Sequence, residues 1–349
     1  MEENTDSLFT AIVIKEVKEE TDGFKSFVLE PVGNRKITYQ AGQYITLVHQ
    51  GRVEEVRRSY SFTSAPLLDE PMTIGVKRID NGAFSRLLFQ LKAGDLLTSS
   101  GSGGFFILPG KKDAPLTLFF LAAGAGITPI FPMIKTALAI YPATYITLIY
   151  SNRSPETTIF LETLNRLSEK YKDRLNIEYL FSEKPNLALS HLNPGLLNSF
   201  LKKQVADISS ALFYLCGPEA YMRMCLFTLK EAGVTEKNIR KETFITTKKK
   251  EVLEAPPDIS KRQVSILFKE KKITIEVEYP NTILQSARLG GIELPYSCQT
   301  GKCGNCAARI ITGKVWMSYN EVLSEKDILQ GLTLTCTGYP VDGDVLLKI

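Results

Sequence analysis

Four of the six cysteines lie near the C-terminal end of the chain, and three of them fall within the nine residues Cys298–Cys306. Together Cys298, Cys303, Cys306 and Cys336 have the spacing C-x4-C-x2-C followed by one distant cysteine. A [2Fe–2S] cluster needs four thiolates, and this spacing is one that supplies them. Glycines inside the loop allow it to bend closely around a cluster. The pattern predicts that these four cysteines hold a [2Fe–2S] cluster.

A zinc site and free structural thiols are the alternatives for these cysteines. Zinc sites are usually built from two short Cys-x2–4-Cys pairs, whereas this segment offers one compact loop and one lone cysteine. The two histidines, His49 and His191, are far from the cysteines in sequence, which excludes a Rieske centre. Cys225 lies in a helical pattern and is interpreted as a buried apolar residue.

Length and charge restrict the class of protein. The 349 residues suffice for two or three domains, and the net charge of +4 is too small to indicate a nucleic-acid partner. Glycines and a proline interrupt the longest apolar stretch, Leu116–Ile130, so no membrane span is predicted. The polar, acidic N-terminus does not resemble a secretory signal, and a cytoplasmic location is expected.

Three sequence patterns follow one another along the chain. Short strand-like segments with turn residues between them, from about residue 7 to 108, predict a small antiparallel barrel with one helix at Ala83–Leu91. Strands and helices alternate from about 115 to 245, which predicts a doubly wound, mostly parallel sheet and includes a helical segment Pro155–Tyr171. A Lys- and Pro-containing linker follows at 246–262, where Lys248–Lys250 is either solvated linker or a docking patch for an acidic partner.

The predicted barrel contains residues suited to a flavin. Arg58-Ser59-Tyr60-Ser61 offers a guanidinium for a pyrophosphate, a ring on the same strand face for stacking, and a hydroxyl near the flavin N5. The segment Ala41-Gly42-Gln43-Tyr44 precedes it. Downstream, Gly82-Ala83-Phe84-Ser85 opens a helix whose N-terminus suits a phosphate. Taken alone, Arg58–Ser61 also fits an ordinary strand.

The doubly wound region contains residues suited to a dinucleotide. Strand Leu116–Ala122 leads through Gly124, Gly126, Thr128 and Pro129 into an apolar helix, where backbone N–H groups meet the positive end of the helix. This turn alone also fits a purely structural role. The fourth strand ends in a second turn, Cys216-Gly217-Pro218.

In this order, with Gly101–Phe106 closing the barrel and Glu242-Thr243-Phe244 ending the second domain, the motifs resemble the ferredoxin–NADP reductase superfamily with a C-terminal plant-type ferredoxin domain. Ser102 stands where that family usually has proline. The tail resembles the phenylacetyl-CoA epoxidase reductase group, and ketosteroid 9α-hydroxylase reductase and phthalate dioxygenase reductase share the domain order. The resemblance implies a multidomain protein with an antiparallel β-barrel flavin domain (1–110), an α/β doubly wound nicotinamide domain (111–245), a linker (246–262) and an α+β (β-grasp) ferredoxin domain (263–349).

The resemblance also implies cofactors and site residues. The barrel is expected to bind FAD, with FMN as the alternative, and the second domain NAD(P)H. Ser151 and Arg153 follow the second strand and favour the extra phosphate of NADPH, with NADH as the alternative. The expected catalytic residues are Tyr60, Ser61, Cys216, Glu242 and Phe244. The expected cofactor-binding residues are Arg58, Ser59, Tyr60, Ser61, Gly82, Phe84, Ser85, Gly124, Gly126, Thr128, Pro129, Ser151, Arg153, Cys216, Gly217 and Pro218.

The implied function is a reductase that passes electrons from NADPH through FAD and the [2Fe–2S] cluster to a partner oxygenase, as in phenylacetate degradation. The surface around Gly301–Asn305 is the expected docking site. A general reductase for a P450, a desaturase or a Rieske oxygenase is an alternative, and so is an iron–sulfur redox sensor that does not turn over.

Overall fold

The computed structural model describes residues 8–50, 55–110, 116–183, 190–205, 207–244, 254–268 and 271–349. The described residues group into two compact units, which are considered separately below. One unit contains residues 11–98 and 106–244, and the other contains 8–10, 99–105 and 254–349. The first part of the predicted linker, including Lys248–Lys250, lies outside the described residues.

An antiparallel sheet carries the predicted flavin motifs. Its strands in the described residues are β1 (Thr10–Thr21), β2 (Phe24–Pro31), β3 (Tyr44–Gln50), β4 (Glu55–Ser61), β5 (Thr73–Lys77) and β6 (Leu96–Gly103), in the order β4-β3-β6-β1-β2-β5. A bridge between Phe62 and Ile74 joins the two outer strands beyond the end of β4 and so closes the sheet. Helix α1 (Ala83–Gln90) lies between β5 and β6. The predicted barrel is confirmed.

Alternating side chains fill this barrel. Ile12 and Ile14 of β1 are fully buried, as expected when successive residues of a strand point to opposite faces. Gly42 has φ +95°, and a Cβ there would lie 1.9 Å from the carbonyl oxygen of Phe106. Only glycine therefore fits the Ala41-Gly42-Gln43-Tyr44 segment at this point.

The second sheet is parallel. Its strands in the described residues are β7 (Leu116–Ala123), β8 (Thr144–Asn152), β9 (Leu175–Phe181), β10 (Leu212–Cys216) and β11 (Ile239–Glu242), in the order β11-β10-β7-β8-β9. The helices among the described residues of this region are α2 (Ile127–Ile140), α3 (Leu161–Lys170), α4 (Pro194–Gln204) and α5 (Glu219–Glu231). Strand order turns back beside β7, as in a doubly wound fold. This prediction is also confirmed.

The helix predicted from Pro155 begins only at Leu161. Thr157 and Thr158 donate their hydroxyls to the carbonyl of Ser154, which makes a local turn. Phe160 then has φ +61°, a left-handed conformation that a helix interior does not contain. The prediction of a helix over Pro155–Phe160 was wrong because hydroxyl side chains compete with the helix for backbone groups.

A mixed sheet forms the C-terminal part. Its strands in the described residues are β12 (Arg262–Phe268), β13 (Lys271–Val277), β14 (Ala307–Met317), β15 (Leu332–Leu334) and β16 (Gly338–Lys348), in the order β13-β12-β16-β14-β15. Strand β12 pairs parallel with β16 and antiparallel with β13. Helices α6 (Ile283–Leu289) and α7 (Glu325–Leu329) begin with capping boxes at Thr282 and Ser324. The predicted α+β ferredoxin fold is confirmed.

Among the helices of the described residues, none is both long and apolar enough for a membrane span.

Candidate functional site

The cysteine loop lies between α6 and β14, and Cys336 follows β15. Cys306 and Cys336 are buried, whereas Cys298 and Cys303 are partly exposed. Gly301 has φ +71°, and a Cβ there would lie 2.7 Å from the carbonyl oxygen of Tyr319. Glycine is therefore required for the loop to pack this closely.

The four thiols form two pairs. A hydrogen bond with Cys303 lowers the pKa of Cys298 to about 5, and the same bond raises the pKa of Cys303. A hydrogen bond with Cys336, together with burial, raises the pKa of Cys306. The backbone N–H of Thr300 donates to the Cys298 sulfur at 3.4 Å, which favours a thiolate.

This donor set fits a two-iron cluster. Within the described residues, no group of three or more His, Cys, Asp or Glu side chains is gathered closely enough for a single metal ion. Two thiol pairs match a centre in which each of two irons takes two sulfurs. Beside the ligands, Asn305 Nδ2 and Thr337 Oγ1 are buried and make no hydrogen bond within the described residues. Such polar atoms suit the inorganic sulfur of a cluster.

Strand β4 carries the residues expected at a flavin. Arg58 is exposed and donates to the carbonyl of Arg57 at 2.8 Å, and among the described residues most of its guanidinium is available. The Ser59 hydroxyl lies 3.0 Å from Thr46 Oγ1, and Ser61 is buried. Burial raises the pKa of Tyr60, so its hydroxyl stays neutral. An exposed cation two residues before a neutral aromatic ring fits a flavin with its pyrophosphate.

Helix α1, between β5 and β6, begins after Gly82. Ser85 Oγ donates to the carbonyl of Gly82 at 3.0 Å and accepts from the N–H of Ile79 at 3.2 Å. Its hydroxyl thus shapes the turn into the helix. Phe84 is buried, and its ring centroid lies 6.1 Å from that of Tyr60. Phe84 therefore supports the ring expected to stack on a flavin.

The conformation of the turn after β7 depends on its own glycines and on the first turn of α2. Gly124 has φ +52°, and Gly126 ends a short 3-10 turn. Thr128 Oγ1 donates to the carbonyl of Ala125 at 2.9 Å, and Pro129 is buried in the first turn of α2. The turn presents backbone N–H groups at a helix N-terminus, an arrangement that binds pyrophosphate.

The turn after β10 packs directly against that glycine turn. A Cβ on Gly126 would lie 2.0 Å from the carbonyl oxygen of Cys216, and a Cβ on Gly217 would lie 3.0 Å from Ala123 Cβ. Pro218 then precedes the first turn of α5. Cys216 is fully buried, and burial raises its pKa, so the group beside the turn is a neutral thiol.

Glu242 pairs with Cys216 across β10 and β11. The residue is partly exposed, but its carboxyl oxygen Oε2 is buried and makes no hydrogen bond within the described residues. Burial raises the pKa of Glu242 to about 8. An unpartnered buried oxygen beside Cys216 fits a site that a nicotinamide amide completes. Phe244, two residues further on, is 43% exposed.

Ser151 near the end of β8 and Arg153 directly after it lie where a ribose phosphate was expected. The Ser151 hydroxyl is buried. The Arg153 side chain is 75% exposed, and its Nε lies 3.8 Å from Oε1 of Glu183. Arg153 is thus available to an anion, with an acidic neighbour, Glu183, that is distant in the sequence.

Two further residues lie at the glycine turn that the sequence motifs did not predict. Lys77 Nζ lies 4.0 Å from the position of a Cβ on Gly124, so the end of β5 brings a cation to this turn. Tyr150 is fully buried, and its Oη donates to the carbonyl of Gly124 at 3.1 Å. Local sequence does not distinguish Lys77 from a solvated lysine. Tyr150 could have been suspected, because a hydroxyl at the end of a buried strand needs a partner.

Comparison with known proteins identifies three domains. Residues 11–107 match the oxidoreductase FAD-binding domain, residues 120–226 match the oxidoreductase NAD-binding domain, and residues 267–341 match the 2Fe-2S iron-sulfur cluster binding domain. Phe105 lies within the first match. The three matches follow the order that the sequence motifs indicated.

Similar proteins share this arrangement. The chain is 32% identical to the ferredoxin reductase component of 3-ketosteroid-9-alpha-monooxygenase from Mycobacterium tuberculosis, over 95% of this chain and 93% of that protein. It is 30% identical to one of the subunits of 1,2-phenylacetyl-CoA epoxidase from Escherichia coli, over 88% of each chain. The structure of phthalate dioxygenase reductase has the same fold, with a TM-score of 0.60 at 21% identity over 98% of both chains.

These matches extend over nearly the whole chain and include relatives at 30% identity or more. The protein is an NAD(P)H-dependent oxidoreductase with FAD-binding, NAD-binding and [2Fe–2S] domains. The chain therefore belongs to the ferredoxin–NADP reductase superfamily, in the branch that has a C-terminal [2Fe–2S] ferredoxin domain.

Proposed function

We propose that this protein takes electron pairs from NADPH and delivers single electrons to an oxygenase of the kind found in phenylacetyl-CoA epoxidase. The observation that carries the proposal is the presence in one chain of a nicotinamide turn, a flavin strand and a cysteine loop with two thiol pairs. A redox sensor that does not turn over does not need a turn that binds a nicotinamide dinucleotide. The combination instead favours a reductase.

Residues of the parallel sheet would bind NADPH. The backbone amides at Gly124 and Gly126, with Lys77 beside them, would hold the pyrophosphate. The neutral Cys216 thiol and the Glu242 carboxyl would lie at the nicotinamide. These groups position the dinucleotide, and none has to act as a nucleophile.

Residues of the barrel would bind the flavin. Arg58 would pair with the pyrophosphate, Tyr60 would stack on the ring system, and Ser59 and Ser61 would donate hydrogen bonds to it. When bound, FAD exchanges electrons in pairs and singly, whereas a [2Fe–2S] cluster carries one electron. Each NADPH becomes NADP⁺, releases one proton and supplies two electrons, which reduce two one-electron acceptors.

The names of the relatives indicate the class of the electron acceptor. The Mycobacterium tuberculosis and Escherichia coli proteins are named as components of monooxygenase and epoxidase systems. A Pseudomonas aeruginosa relative, 27% identical over 88% of this chain, is the reductase subunit of glycine betaine monooxygenase. This supports an oxygenase as the acceptor, and we favour one that acts in phenylacetate degradation.

An anaerobic titration with NADPH, followed by visible absorption, tests the electron path. We expect bleaching of the flavin bands together with the cluster bands. Flavin bleaching that leaves the cluster bands unchanged would contradict transfer within the chain. A colourless purified protein would contradict the proposal altogether.

Reconstitution with purified acceptors tests the partner. The acceptors are the oxygenase components of phenylacetyl-CoA epoxidase and of a ketosteroid monooxygenase, and a cytochrome P450. We expect NADPH-driven turnover with the epoxidase alone. Comparable turnover with all three would indicate a general reductase, and turnover with another one alone would reassign the partner.

A further inference from the structure

Phe105 is far in sequence from the C-terminal domain, yet it belongs to the same compact unit. It lies two residues beyond the end of β6 and packs, partly buried, against the apolar core that contains Cys306, Leu323 and Cys336. Residue 105 lies within the sequence matched to the FAD-binding domain, outside the ferredoxin match at 267–341. The core around the cysteine ligands thus includes a side chain that the ferredoxin sequence does not supply.

The contact is with the cysteine loop itself. A Cβ on Gly304 would lie 2.8 Å from both Cδ2 and Cε2 of Phe105, and 3.4 Å from Cγ2 of Val322. Real Cβ atoms do not approach other atoms to 2.8 Å, so the edge of the Phe105 ring occupies the space where a side chain would be. Gly304 also has φ +79°, which favours glycine independently.

Gly304 lies between two of the four cysteines, directly after Cys303 and two residues before Cys306. The backbone there forms turns, with the N–H of Ala307 donating to the carbonyl of Gly304 at 3.1 Å. A short irregular loop has little regular hydrogen bonding to hold its shape, so packing against a rigid ring contributes to its support. The ring also covers one side of the loop from water, and solvent access affects the stability and potential of such clusters.

We propose that Phe105 is a positioning residue for the iron–sulfur centre. Its ring packs against the cysteine loop at Gly304, holds the loop in position and thereby slows loss of the cluster. This role is separate from the electron path, because a residue outside the ferredoxin sequence supports the cluster. It also limits the expected docking surface around Gly301–Asn305, since the Gly304 side of that loop is covered by Phe105.

Full-length holoprotein variants test this role. They are Phe105→Ala, Phe105→Leu, Gly304→Ala and the double variant, with Leu329→Ala as control because Leu329 is 88% exposed on the same domain. The half-life of the cluster absorption after addition of EDTA is measured, together with visible circular dichroism and amide hydrogen exchange of the peptide covering 298–306. The flavin content of each variant reports whether the rest of the chain has folded.

We expect Phe105→Ala to shorten the cluster half-life at least about fivefold and to speed amide exchange in the loop, with Phe105→Leu in between and the control unchanged. Gly304→Ala should shorten the half-life strongly in the wild-type background and less in the Phe105→Ala background, because truncating the ring makes room for the new Cβ. A merely structural effect at a distance would not produce this coupling.

Two results would overturn the proposal. One is a half-life for Phe105→Ala equal to that of the control, and the other is an equal effect of Gly304→Ala in both backgrounds. These results leave the electron path untouched, because the wild-type titration with NADPH tests that path separately. A wild-type protein without iron–sulfur absorption would overturn both.

Discussion

Glu242 shows how one buried carboxyl affects both the site and the stability of the protein. Its oxygen Oε2 lies in the interior beside Cys216 without a hydrogen-bond partner in the described residues. Burial raises the pKa of Glu242 to about 8 from an ordinary value of 4.5. At neutral pH the folded protein therefore keeps this carboxyl protonated, which allows it to donate a hydrogen bond to a bound carboxamide.

The raised pKa of Glu242 predicts a dependence of stability on pH. Between about pH 4.5 and pH 8 the folded protein binds more protons at Glu242 than the unfolded chain does. Raising the pH through this window lowers the free energy of unfolding by up to about 1.4 kcal/mol for each pH unit, and the loss stops above pH 8. Glu242→Gln cannot ionise, so the variant should melt above the wild type by a margin that grows from about pH 5 to about pH 8.

Thermal melting of both proteins across this pH range measures the margin. Glu169→Gln, at an exposed position of α3, is the matched control and should show a constant difference from the wild type. Parallel melting curves for Glu242→Gln and the wild type would mean that the carboxyl is solvated in the folded protein.

At the scale of elements, the sequence motifs locate the turns well because local chemistry decides them. The cysteine spacing, the glycine turn after β7 and the Cys216-Gly217-Pro218 turn each require residue types that few other structures need. The start of α3 was predicted six residues too early, at Pro155 instead of Leu161, because hydroxyls of Thr157 and Thr158 made a competing turn.

Contacts between distant parts of the chain could not be predicted in the same way. Lys77 reaches the glycine turn from another sheet, and Phe105 reaches the cysteine loop across about two hundred residues of sequence. Neither residue type is unusual at its position, so only the folded arrangement reveals it. The burial of the Ser151 hydroxyl likewise depends on tertiary packing.

The close approach of two turns predicts the effect of one methyl group. A Cβ on Gly126 would lie 2.0 Å from the Cys216 carbonyl oxygen and 2.9 Å from the Gly217 nitrogen, and neither backbone atom can rotate away. Gly126→Ala should therefore displace the turn after β7 and raise the KM for NADPH at least about tenfold, equivalent to about 1.4 kcal/mol of binding. Steady-state reduction of ferricyanide measures this KM.

Gly110→Ala is the control for that experiment, since a Cβ there meets no atom within 4 Å. The flavin and cluster absorption of Gly126→Ala should stay unchanged, because the displaced turn belongs to neither set of residues. An unchanged KM would show that the turn does not hold the dinucleotide.

At the scale of the whole molecule, the chemistry is divided between the two compact units. The residues proposed for NADPH and FAD lie in the unit of 11–98 and 106–244, and the four cysteines lie in the other. Each unit has its own apolar cores. Loss of the cluster should therefore leave the flavin reaction intact and remove only the delivery of electrons to a protein acceptor.

Serine substitutions of two cluster ligands test this division. Cys303→Ser and Cys336→Ser should each lose the cluster absorption, because serine binds iron more weakly than a thiolate. NADPH-driven reduction of ferricyanide, which accepts electrons from flavins directly, should remain within about twofold of the wild type. Reduction of cytochrome c or of an oxygenase component should fall at least about tenfold, which corresponds to an activation barrier raised by about 1.4 kcal/mol.

Cys225→Ala is the matched control, because Cys225 is buried in α5 and lies outside both proposed sites. It should keep the cluster bands and both activities. Equal loss of ferricyanide and cytochrome c reduction in the serine variants would show that the cluster supports the fold of the flavin unit. Equal retention of both would show that electrons leave from the flavin and bypass the cluster. The predicted split between the two acceptors arises only if the cluster is the point from which electrons leave the protein.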